Sequence, residues 1–162
     1  MRHDQIRRDW GELLFRVLFS SIFIGLGGEH IVSDDLIQNL MPPWVPAPRL
    51  FSVGAGVILL TGGTMVLVGW RLKQAAWILG IFLVVVTATV HLPGVLLSPP
   101  PMPEETAWMW TVLQRSNLVK NLCLLGVCIL LRDHQPGRYS LDVRFAEAAP
   151  PAPAANREGQ QA

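Results

Sequence analysis

The chain has 162 residues, one domain's worth, with 51% hydrophobic residues against 15% charged and a mean hydropathy of +0.37. A soluble enzyme of this size needs more charged surface than that to cover its core, so composition points to a small multi-pass membrane protein. A net charge of +1 gives no electrostatic footprint for nucleic acid.

In chain order, Arg2, Arg7 and Arg8 lead into a first apolar run over residues 13–32. The run ends in Gly27-Gly28-Glu29-His30 and not in an A-x-A-like cleavage site, so it reads as a retained anchor. The second run covers residues 50–70. The third covers 75–92 and is expected to stop at Pro93. The fourth covers about 113–131, is clearest from Leu118, and extends upstream toward a helix start at Pro103-Glu104-Glu105-Thr106. About 20 residues of helix cross about 30 Å of hydrocarbon. Four such runs without strand-like alternation predict an all-α integral membrane fold, a four-helix up-down bundle over residues 1–132.

The segments between the runs are distinctive. Residues 41–48, Met-Pro-Pro-Trp-Val-Pro-Ala-Pro, and the proline-rich residues 98–103 favour stiff extended conformations. Residues 133–162 form an Ala/Pro-rich tail whose composition predicts disorder, apart from a short amphipathic stretch at 140–148. No repeat of 20–50 residues is visible, which counts against a small-solute carrier.

Orientation follows from basic residues. Arg2, Arg7, Arg8, Arg71, Lys73, Arg132, Arg138 and Arg144 fall on one side, against Arg49 and Arg115 on the other. Both termini are therefore expected in the cytoplasm. All six tryptophans, at 10, 44, 70, 77, 108 and 110, fall at expected interfaces, where an amphipathic ring belongs.

Ionisable groups at membrane depth are costly and need a partner or a role. Glu29 and His30 close the first helix, His91 lies one turn after Thr87, and Gln114, Asn117, Lys120 and Asn121 share one face of the fourth. The expectation is a polar pocket near the outer face, built from Glu29, His30, His91, Asn117, Lys120 and Asn121. Its donors suit a quinone carbonyl. Two histidines by themselves are a poor haem signal, and no metal site is expected. Structural readings stand beside this one: Glu29, His30 and Lys120 can reach the headgroup level, and His91 can bond a carbonyl freed at its helix end. The polar face of the fourth helix can also serve only to join helices. Glu12 and Arg16, four apart, read as a structural ion pair. The glycines and threonines of the second helix read as packing residues, and Cys123 and Cys128, five apart, as small core residues.

The order of features resembles the DoxX/DoxD-like family of small four-helix bacterial membrane proteins. The likeness rests on Gly25-Leu26-Gly27-Gly28-Glu29-His30, Met41-Pro42-Pro43-Trp44-Val45-Pro46, Gly62-Gly63 before a basic turn into Ala75-Ala76, His91, and Leu118-Val119-Lys120-Asn121-Leu122. It covers roughly residues 12–132. One departure stands out: many relatives carry a glutamate shortly before the Gly-Gly pair, where this chain has Val57-Ile58-Leu59-Leu60. The resemblance implies the bacterial inner membrane and a redox setting, as a subunit of a thiosulfate:quinone-type oxidoreductase or a partner of a membrane or soluble oxidoreductase. No catalytic residue is assigned. The competing expectation is a non-catalytic scaffold or assembly partner in the lipid bilayer.

Overall fold

The computed structural model describes residues 2–39, 41, 45–97, 99 and 101–148, and among them every regular element is helical. Pro42, Pro43, Trp44 and the tail from residue 149 onward lie outside the described residues.

Helix α1 runs from Arg2 to Val32. Its start is eleven residues before the apolar run, because nothing between Arg2 and Glu12 breaks a helix and Asp4 suits the first turn. At 1.5 Å per residue it extends about 46 Å, longer than the hydrocarbon core is thick. The short α2, Asp34–Asn39, follows. Helix α3, Pro48–Val68, opens on a proline whose missing N–H costs nothing there.

Helix α4, Leu72–Val86, continues through a π-helical turn, Thr87–His91, into α5, Leu92–Leu96. The expected stop at Pro93 is thus corrected. The Leu92 N–H bonds Thr87 O, five residues back, and this wider turn accommodates a proline that a regular α-helix would reject. Helix α6, Glu104–Leu131, starts where its acids predict, and α7 covers Leu141–Ala148.

Three stretches, His3–Val32, Pro48–Val68 and Leu72–Leu96, are long and apolar enough to cross a bilayer. Exposed Leu14, Leu18, Ile81, Val85, Ile129 and Leu130 give the helices an outward apolar surface suited to lipid. Helix α6 has the length to span but carries a polar face.

The helices pack in the order α1 on α3, α3 on α4, and α4 on α6; among the described residues α1 does not pack along α6. Small residues set the first contact. A Cβ on Gly27 would lie 3.0 Å from Gly56 O, and one on Gly56 would lie 3.0 Å from Gly27 O. Gly62 likewise leaves room for Leu79 of α4. The apolar core, with Phe19, Phe23, Val66, Leu79, Leu83 and Leu131, sits toward the end that carries the basic residues. This is the basic end; the opposite one, with α2 and the proline-rich segments, is the loop end.

At the basic end a Schellman turn closes α3: Trp70 N–H bonds Met65 O and Gly69 N–H bonds Val66 O. Gly69 holds φ +66°, and its surface is covered by Arg16 and Ser140. The segment after α6 folds over this turn. Asp142 N–H bonds Gly69 O at 3.1 Å, Asp142 Oδ1 accepts from Arg71 N–H at 3.0 Å, and Tyr139 packs on Trp10. Tyr139, Ser140 and Asp142 thus tie this segment to the bundle while most of its other side chains are exposed; the expectation of disorder sets residues 140–148 apart. Averaging over the Ala/Pro-rich end hid the Ser140 cap, whose Oγ accepts from Val143 N–H.

Candidate functional site

Polar side chains collect in three places. The first is at the basic end. Arg16 is fully buried and its Nε lies 2.9 Å from Glu12 Oε1, one helical turn earlier. Its Nη1 donates to Leu67 O at 3.3 Å, near the end of α3, where carbonyls lose their helical partners. His134 Nε2 stands 3.7 Å from the same carboxylate. The pairing of Glu12 and Arg16 has the i, i+4 geometry, and the guanidinium also ties α1 to α3.

The second place is on the α1–α3 pair at the loop end. His30 Nδ1 lies 3.2 Å from Ser52 Oγ, and the Ser52 hydroxyl donates to His30 O at 3.2 Å. Since that hydroxyl has one hydrogen, the imidazole Nδ1–H donates to it. Ser52 is fully buried, whereas Glu29 is exposed on α1.

The third place lies between the π-turn and α6. His91 Nδ1 is 2.8 Å from Gln114 Oε1, Asn121 Nδ2 donates to Thr87 Oγ1 at 3.1 Å, and Lys120 Nζ donates to Asn117 Oδ1 at 2.8 Å. An amide oxygen only accepts, so Nδ1 of His91 carries the proton and its Nε2 is free to accept in the neutral ring. Gln114 and Asn121 are buried; His91, Asn117 and Lys120 are half-buried. The spacing of α6 brings the four polar residues to one side, and the wide π-turn aims Thr87 and His91 at them.

The six residues expected to form one pocket therefore divide. His91, Asn117, Lys120 and Asn121 come together across the α4–α6 side, with Gln114 and Thr87 as direct partners. His30 belongs to the α1–α3 pair, and Glu29 faces outward. Ser52 was not singled out: a lone serine in an apolar helix carries no periodic signal. The third cluster offers several donors along about two turns of α6, a cation in Lys120 and an imidazole that can change protonation, a set suited to a ligand carbonyl or anion. Among the described residues no group of three or more His, Cys, Asp or Glu is placed to hold a metal.

The DoxX family model matches residues 11–92, just over half of the 162-residue chain. The matched part contains α1 from residue 11, α3, α4 and the π-turn with His91, and leaves out α6. No curated protein and no solved structure matches the chain. With its three apolar helices, the match marks a small membrane protein.

Proposed function

This chain belongs to the DoxX family, and from that premise we propose that it is a membrane subunit or accessory of a quinone-linked redox system. The carrying observation is the cluster at the π-turn: His91 on Gln114, Asn121 on Thr87 and Lys120 on Asn117, in an otherwise apolar bundle. In this reading α6 is the fourth span, the protein sits in the bacterial inner membrane, and both termini are cytoplasmic.

The donor set fits a quinone, whose head offers two carbonyl acceptors and takes two electrons and two protons on reduction. Lys120 Nζ has two hydrogens left after its bond to Asn117 and donates to a carbonyl oxygen. His91 exchanges a proton through Nε2 while Gln114 holds the ring in place. Electrons come from a partner oxidoreductase, which the family resemblance supports as thiosulfate:quinone-type. His30, held by Ser52 on the other helix pair, is a second proton-exchanging group at the same end.

A specific observation favours a second reading, that of a non-catalytic scaffold. The bonds from His91 to Gln114 and from Asn121 to Thr87 join helices directly and satisfy groups that hydrocarbon would otherwise strand. Quinone binding by the purified protein separates the two readings. A scaffold carries none, and loses stability, not a ligand, when His91 or Lys120 is truncated.

A further inference from the structure

Two open surface depressions lie toward the basic end, away from the cluster at the π-turn. One is a polar cleft of about 380 Å³ over the start of α4, with Arg71, Lys73, Gln74, Arg132, His134 and Gln135 in its walls. The other is an apolar groove of about 370 Å³ along α3, formed by Leu60, Thr61, Thr64, Met65, Val68 and Trp70. Trp70 lines the groove, and the Arg71 guanidinium, a wall of the cleft, lies over that ring with its carbon 5.3 Å from the centroid.

The two carboxylates in the cleft are already engaged. Asp133 takes a 2.7 Å bond from Arg132 Nη2, and Asp142 accepts from the Arg71 backbone N–H. Lys73 is exposed and makes no hydrogen bond or close ion pair among the described residues. Neither the Arg71 guanidinium, which lies over Trp70, nor the Lys73 ammonium, which stands within electrostatic reach of Asp133, gives a hydrogen bond to a carboxylate among the described residues, so both keep N–H donors for an anion. Both belong to the turn that joins two apolar helices of spanning length, and this turn must sit at headgroup depth.

We infer that the α3–α4 turn binds an anionic phospholipid, with its phosphate between Arg71 and Lys73 and one acyl chain along the α3 groove. Charge complementarity selects the headgroup, since each basic side chain near a bilayer surface favours anionic lipid. The amphiphile is selected by the change from polar cleft to apolar groove across one residue pair, Trp70 and Arg71. Residues 133–136 form the far wall of the cleft, so the lipid also bridges the bundle to its C-terminal segment.

The test uses the full-length protein in nanodiscs of equal phosphatidylglycerol and phosphatidylcholine, followed by native mass spectrometry of retained lipid. Phosphatidylglycerol should be retained about tenfold over phosphatidylcholine. The pair Arg71→Asn and Lys73→Gln should bring that ratio near one; asparagine tolerates the left-handed backbone at position 71. Lys73→Gln alone, an exposed change, should give a partial loss should the pair fail to fold. Thr64→Trp should obstruct the groove and weaken retention of long-chain lipid, while Arg115→Gln at the loop end should change nothing. Wild-type retention in the folded charge variants, or an equal loss in Arg115→Gln, would overturn the inference. Displacement of the lipid by millimolar inorganic phosphate would overturn it too, assigning the cleft to a free anion.

Discussion

His91 and Gln114 meet across the π-turn, Nδ1–H to Oε1, at 2.8 Å, and Gly94 leaves the space in which they do so. A Cβ at position 94 would come within 2.8 Å of Gln114 Cδ and Cγ. Gly94→Ala should therefore push Gln114 away and cost about 1–3 kcal/mol of stability, the usual range for overpacking. In a Gln114→Ala background the same change should cost close to nothing. A thermal-unfolding double-mutant cycle in detergent reads the coupling, and additive effects would mean that Gly94 does not make room for this contact.

Two other glycines should respond in opposite ways. Gly69 has φ +66°, and an added Cβ would lie 2.5 Å from Ser140 Cβ, so Gly69→Ala should destabilise by about 1–3 kcal/mol. Gly126, within α6, has nothing within 4 Å of an added Cβ. There alanine should be neutral or stabilising by up to about 1 kcal/mol, because it is the better helix former. Melting temperatures of the two variants, compared with the parent, decide this.

The buried pair at the basic end predicts an asymmetry. Glu12→Leu leaves the fully buried Arg16 without its carboxylate and should cost about 3–5 kcal/mol. Glu12→Leu combined with Arg16→Met removes both charges and should recover a large part of that loss. Chemical denaturation of the single and double variants measures it; a double variant worse than Glu12→Leu would show that Arg16 acts chiefly through its bond to Leu67 O.

The sequence exposed the periodic features and concealed those that depend on hydrogen-bond register. The polar face of α6 was visible because Gln114, Asn117, Lys120 and Asn121 follow helical spacing, and the i, i+4 relation of Glu12 to Arg16 was visible for the same reason. The π-turn was not, since a shift from i−4 to i−5 bonding leaves no mark on hydrophobic pattern, and Pro93 was read as a stop. Nor could the pairing of helices be read. The Gly27–Gly56 contact draws α1 onto α3 while α6 packs on α4, so the His30–Ser52 bond and the His91–Gln114 bond fall on different helix pairs. The amphipathic stretch at 140–148 was visible but its attachment to the α3–α4 turn was not, although Ser140 as a helix cap and Pro136-Gly137 as a turn were available local signals.

The topology has its own measurement. With α6 as a fourth span, reporter fusions at residue 100 and residue 140 should report opposite sides of the inner membrane, with 140 in the cytoplasm. The reverse order would contradict the charge-based orientation, and reporters on the same side would remove α6 from the membrane.

The most direct test of a quinone site at the π-turn is the quinone bound per protein after purification in mild detergent, measured by solvent extraction and chromatography. Wild-type protein should retain quinone at close to one per chain, and His91→Ala and Lys120→Ala should each weaken retention by about tenfold or more, as expected when a buried hydrogen-bond partner is lost. Both variants should still elute as folded protein with unchanged helix content. Wild-type protein with no quinone, or folded variants that retain it in full, would contradict the account.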